Sequence, residues 1–118
     1  MDDDLLDGHL QELRRGTVVL ACLATLEESR YGYALLETLD AAGFSVDGNT
    51  LYPLLRRLEK QGLLTSEWNT DEARPRKFYR TSPAGERLAD ALASDWLSLS
   101  SAIASLDDAS TSDASEES

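Results

Sequence analysis

Six large apolar residues, Leu88, Leu92, Trp96, Leu99, Ile103 and Leu106, follow one another at steps of 4, 4, 3, 4 and 3. That near-heptad spacing puts them on one stripe of an α-helix. "SPAGE" opens the helix. Ser82 is a favoured N-cap, and Pro83 sits at the first helical position, where its missing N–H is no loss. From residue 83 to 106 such a helix is about 35 Å long at 1.5 Å per residue. A chain of 118 residues makes one domain with a modest core, and a helix of this length overhangs it. The stripe can pack back on its own body. The overhang favours packing on a second copy.

Upstream, "TVVLACLATL" (17–26) is the longest apolar run. It falls short of the roughly 20 residues a membrane span needs. The acidic "MDDDLLD" before it lacks the basic start of a signal peptide. Leu10, Leu13, Thr17, Leu20, Ala21 and Ala24 recur at three- and four-residue steps and predict a helix over about 8–27, with residues 1–4 frayed. Val18, Val19 and Leu23 widen its stripe, so the helix sits centrally or meets a partner. Cys22 lies in this run and reads as a small buried hydrophobe. One cysteine excludes an intrachain disulfide. With His9 the single histidine, no zinc ligand set exists. No metal and no cofactor is implied, and a cytoplasmic protein fits.

"SRYGYALLETLDAAG" (29–43) predicts a turn and a second helix, with Leu35, Leu36 and Leu39 inward and Gly43 as its stop. "GNTLYPLLRRLEKQG" (48–62) predicts a third. A proline deep in a helix loses a hydrogen bond and clashes with the preceding turn. Pro53 therefore requires a start near 47–50, where Asp47, Asn49 or Thr50 can cap; Gly62 ends it. "LLTSEW" (63–68) and "RKFYRT" (76–81) flank the polar loop "NTDEARP" and predict a hairpin. Trp68 is expected to pack at its base. "DDASTSDASEES" (107–118) has no large apolar residue and reads as a disordered acidic tail. The order helix, helix, helix, strand, strand, helix is mainly α with a small β-hairpin. It defines a winged helix-turn-helix domain over 8–82 with an added C-terminal dimerisation helix over 83–106.

The formal net charge is −11. The four acids through Asp7 and the eight acids against Arg87 in 83–118 account for all of it. Between Asn49 and Arg80, seven bases face four acids, so an acidic chain hides a basic patch. Twelve aspartates against two lysines suit a cytoplasm at high salt; an ordinary acidic tail accounts for them as well.

Projected at about 100° per residue, the third helix turns Leu51, Leu54, Leu55 and Leu58 inward. Asn49, Pro53, Arg56 and Lys60 lie opposite, with Arg57 and Tyr52 on the flanks and Glu59 as the nearby acid. Arginine can grip a guanine edge or a phosphate, asparagine can pair with adenine, and lysine suits a phosphate. Short Asn49 and Thr50 let the helix start approach DNA, where its amides can bind phosphate. A solvated basic face, with Arg57 and Glu59 balancing locally, explains the helix alone equally well. The hairpin tips the reading toward DNA: "RPRK" adds Arg74, Arg76 and Lys77 as a second backbone grip.

"YGYALLETL", "GNTLYPLLRRLEKQGLLTSEW" and "RPRKFYRTSPAG" occur in that order. Together they resemble the PadR family of transcriptional regulators, over about residues 13–106. The resemblance implies a dimeric winged-helix protein that binds a double-stranded DNA operator, usually as a repressor. It implies a homodimer built from the first and C-terminal helices, hence Leu10, Leu13, Leu88, Leu92, Trp96, Leu99 and Ile103. Tyr31, Gly32 and Tyr33 open the second helix, and Tyr52 comes to the DNA surface. Some members bind small planar or phenolic effectors between C-terminal helices. Trp96 stands where it could stack on an aromatic effector, though filling the interface is the simpler reading. The chain ends after one C-terminal helix, like the small subtype. Its acidic tail is unusual, and Asp71 and Glu72 would repel phosphate at the hairpin tip.

Two functions follow: a sequence-specific DNA-binding regulator acting as a homodimer, or a winged-helix module that binds protein through its acidic ends. A gel-shift separates them. No nucleophile–base pair, glycine-rich phosphate loop or metal set is visible, so the sequence argues against an enzyme.

Overall fold

The computed structural model describes the backbone of residues 1–71 and 73–117, with side chains through residue 108 apart from 72. The elements are α1 (Asp3–Arg15), α2 (Val18–Thr25), β1 (Arg30–Tyr31), α3 (Gly32–Ala41), α4 (Gly48–Lys60), β2 (Leu64–Asn69), β3 (Arg76–Thr81) and α5 (Pro83–Glu117). Three antiparallel strands form one sheet in the order β1-β3-β2. The fold is mostly helical, a winged helix-turn-helix with α3 and α4 as its helical pair.

Three expectations change. The helix expected over 8–27 is two helices. Glycine and the β-branched run Thr17-Val18-Val19 both weaken a helix interior. The Thr17 hydroxyl donates to the Arg14 carbonyl at 2.7 Å and closes the break. The start is not frayed, because the Asp2 carboxylate accepts from the Asp4 N–H at 3.0 Å and caps α1. The hairpin gains a third strand: Arg30 pairs with Tyr79 and Tyr31 with Phe78.

The helical backbone of α5 reaches Glu117, across the segment whose composition suggested a tail. The side chains of 109–118 lie outside the described residues, as does Glu72 in the hairpin loop.

The core is leucine-rich. Cys22, Leu23, Leu26, Leu35, Leu39, Leu51, Leu55, Leu58 and Leu64 are essentially without exposure; α2 buries Cys22 and Leu23 fully, while Val18, Val19, Leu20 and Ala21 are half-buried and Ala24 is exposed. α4 closes with a Schellman turn. Gly62 takes φ +76, the Leu63 N–H reaches the Leu58 carbonyl at 2.9 Å, and the Gly62 N–H reaches Glu59 at 3.0 Å.

The "RTSPAG" block is a knot between elements. Thr81 bonds α2 twice, through its N–H to the Leu26 carbonyl (2.8 Å) and its hydroxyl to the Leu23 carbonyl (2.7 Å). The Ser82 hydroxyl donates to the Gly62 carbonyl (2.6 Å) and accepts from the Gly85 N–H (3.0 Å). A Cβ on Gly85 would stand 2.1 Å from the Leu63 carbonyl oxygen. These residues dock the first turn of α5 and thereby aim the helix. Beyond Leu92 its described residues are nearly all exposed. The radius of gyration is accordingly 18.6 Å, against about 13.5 Å for a compact chain of this length.

Candidate nucleic-acid interface

The surface is built on α4. Asp47 caps it, with its carboxylate accepting from the Thr50 N–H at 2.9 Å. This start lies inside the window that Pro53 demands. Pro53 is exposed, so the hydrogen bond it forfeits is lost on the solvent side. Leu51, Leu55 and Leu58 are buried and Leu54 half-buried, whereas Asn49, Thr50, Pro53, Arg56, Arg57 and Lys60 are all exposed.

Tyr52 is half-buried and holds the two helix starts together. A Cβ on Gly32 would stand 2.7 Å from Tyr52 Cε1, and one on Gly48 would stand 3.0 Å from Cε2. The tyrosine ring thus lies between the glycines that open α3 and α4. Gly32 in "YGY" and Tyr52 in "NTLYP" are one packing unit. Beside it, Tyr33 is exposed, and the Glu37 carboxylate pushes its phenol above the usual value.

The hairpin is fastened to α4 by Glu59. The Ser66 hydroxyl donates to its carboxylate, and the Lys77 ammonium pairs with it at 3.2 Å. The Ser66 hydrogen bond, helped by Lys77, holds the Glu59 carboxyl below its usual range. Glu59 therefore serves the hairpin rather than balancing Arg57. Residues two apart do not face each other on a helix.

The three cations expected on the tip divide. Arg74 lies in the loop and is exposed, while Arg76 and Lys77 are the first two residues of β3. The Arg76 guanidinium lies 5.0 Å from the Tyr31 ring centre, and Tyr31 stacks on Phe78 at 4.1 Å. The Asn69 amide donates to the Tyr31 hydroxyl at 3.1 Å. The loop end of the hairpin is thus built around Tyr31. Trp68, expected to pack at the hairpin base, is 63% exposed. Asp71 is exposed in the loop.

Two cations were missed by reading the sequence. Arg14 and Arg15 border an open cleft with Phe44, Asp47 and Thr50, which places them near the start of α4. Their signal was present, since basic residues close α1, but the expected 8–27 helix ran straight through them.

The expected dimerisation residues also divide. Leu88 and Leu92 pack against the chain's own core, as partly buried neighbours of it. Trp96, Leu97, Leu99, Ile103 and Leu106 are each more than half exposed. On α1, Leu10 is half-buried, whereas Leu13 is 71% exposed and Leu5 is also open. Among the described residues, no group of three or more His, Cys, Asp or Glu side chains is placed to hold a metal ion. No helix among them is long and apolar enough to cross a membrane.

A helical pair, a cationic second helix and a strand hairpin tied to it define a winged-helix regulator. The chain belongs to the transcriptional regulator PadR-like family, whose model matches residues 19–91. It is similar to a Mycobacterium tuberculosis protein named transcriptional regulator Rv3488, with 39% identity over 77 residues, 64% of this chain and 72% of that one. The fold matches the crystal structure of a PadR family transcriptional regulator from Eggerthella lenta with a TM-score of 0.84 and 45% identity, covering 88% and 93% of the two chains. A PadR-like transcriptional regulator of Bacillus cereus matches with a TM-score of 0.73 and 26% identity, covering 80% and 95%.

Proposed function

We propose that this PadR-family regulator binds DNA sequence-specifically as a homodimer and represses transcription. The observation that carries the reading is the division of α4. Leu51, Leu55 and Leu58 are buried in the chain's own core with Leu54 half-buried beside them, and its solvent face holds Asn49, Thr50, Pro53, Arg56, Arg57 and Lys60. That face offers forked donors, an amide and a point charge to base edges and phosphates. The hairpin adds a backbone grip from Arg74 and Arg76. Two copies join through the exposed leucines of α1 and the far stripe of α5, and set their α4 faces into major grooves about 34 Å apart. A small aromatic effector stacked at Trp96 releases the DNA; between effectors, Trp96 fills the interface.

The test is selection of duplexes from a random pool, followed by binding of the winner to wild type and to Arg56→Ala. The variant should lose about 1–3 kcal/mol of discrimination at one base position. Equal discrimination would remove Arg56 from base reading. If the wild-type chain retains no duplex over competitor, the protein-binding reading takes over.

A further inference from the structure

We propose that Trp68 is part of the DNA-binding surface: its ring packs on the sugar–phosphate backbone beside α4, and its indole N–H donates to a phosphate oxygen. This rests on the DNA-binding reading above and assigns it a residue outside the basic set.

Three observations put the ring on the α4 side of the sheet. Side chains alternate along a strand, so Trp68 shares a face with Leu64 and Ser66. Leu64 is in the core, and the Ser66 hydroxyl bonds Glu59 of α4. Trp68 is also the direct partner of Lys77 in the β2–β3 register, and directly opposed residues stand on one face about 5 Å apart. The Lys77 ammonium bonds Glu59 at 3.2 Å. Trp68 thus projects just beyond the Glu59 lock, next to the helix that carries Arg56 and Lys60.

The exposure of this ring is unexplained by the fold. Tryptophan is normally mostly buried, and the same face of this strand turns Leu64 into the core. Trp68 is instead 63% exposed on a strand held rigidly against α4. The charge around it selects the occupant. Lys77 stands opposite Trp68 on the same face, Arg74 is exposed in the adjoining loop, and Arg56 and Lys60 are exposed on α4. A polyanion with apolar sugar edges fits an aromatic ring among cations. An indole N–H is a donor only, which suits phosphate oxygens.

The contact carries no charge, and that makes it separable. Replacing a phosphate-bound lysine or arginine lowers the slope of log K against log salt by about 0.9. Trp68→Ala should weaken binding about tenfold, as expected of a tryptophan anchor, with the salt slope unchanged. Its thermal midpoint should match wild type, because the ring supports no core contact. Trp68→Phe keeps a ring and loses the N–H, so it should fall between the two. The full chain labelled with 5-fluorotryptophan gives one ¹⁹F line per tryptophan, and Trp68→Phe identifies the Trp68 line. That line should shift when a duplex selected by the wild-type chain is added. A selected duplex that leaves the line unmoved and binds Trp68→Ala as tightly as wild type overturns this inference alone. Failure to select any duplex overturns it together with the DNA-binding reading.

Discussion

The first turns of α5 and the turns beyond Leu92 share a helix and little else. In the near part Ser82 caps the helix and ties it to Gly62, Gly85 lies against the Leu63 carbonyl, and Ala89 is buried. In the far part Trp96, Leu99, Ile103 and Leu106 face solvent. The near part is specified by its own chain, through hydrogen bonds and backbone contact that allow one docking angle. The far part carries an equally regular stripe, and among the described residues nothing from its own chain covers it. Regular spacing alone therefore does not say which surface completes a helix; the body beneath must be long enough to reach. Burying such side chains is worth roughly 1.5–3 kcal/mol each when complete, which is the driving force for the second copy proposed above.

The largest effect is expected in the near part. Gly85→Ala puts a methyl 2.1 Å from the Leu63 oxygen and 2.7 Å from Thr81 Cγ2. The first is backbone and cannot rotate away. A loss of about 3 kcal/mol is expected, read from the urea midpoint. A variant as stable as wild type would mean that α5 can pivot on its joint, and the contrast between the two parts would collapse.

The next effect belongs to the far part. Leu99→Glu combined with Ile103→Glu puts two charges into the exposed stripe. Sedimentation should show the double variant as a monomer and the wild type as the proposed dimer, with helical content retained in both. Binding to a two-half-site duplex should fall by about a hundredfold or more, because the second half-site is no longer linked. A double variant that still sediments as a dimer would move the interface off this stripe.

These two parts also differ in how far they could be read. Ser82-Pro83 and the apolar steps announced α5, and the demands of Pro53 placed the start of α4 within a residue or two of Asp47. Such features are local and follow from caps, period and a missing N–H. What escaped depended on distance through space. A two-residue β1 is too short to alternate. The break at Gly16–Thr17 left the apolar stripe nearly in phase, so periodicity ran across it. Alternation identifies the face on which Trp68 stands but not whether anything lies beneath it. The partners of Glu59 are Ser66 and Lys77, and only the strand register brings them together.

The smallest effect tests whether the core depends on the far stripe at all. Cys22 has no exposure, and burial pushes its thiol up to about 12. Thiolate is the reactive form, so a disulfide reagent near neutral pH should modify Cys22 only as fast as the chain opens. If the near joint and leucine core are self-sufficient, wild type and the Leu99→Glu, Ile103→Glu double variant should be modified equally slowly. Faster modification of the double variant would mean that the far stripe supports the core, and that the two parts of α5 are less independent than their contacts imply. The same thiol sets a sign at alkaline pH. Its folded pKa lies above the ordinary value of 9.0, so the folded state binds the proton more tightly. The stability linked to that proton is complete below about 9 and is lost as pH rises toward about 12. Cys22→Ala carries a constant cavity cost but no such slope. Its stability relative to wild type should therefore improve across that window, and by the same amount in the double variant.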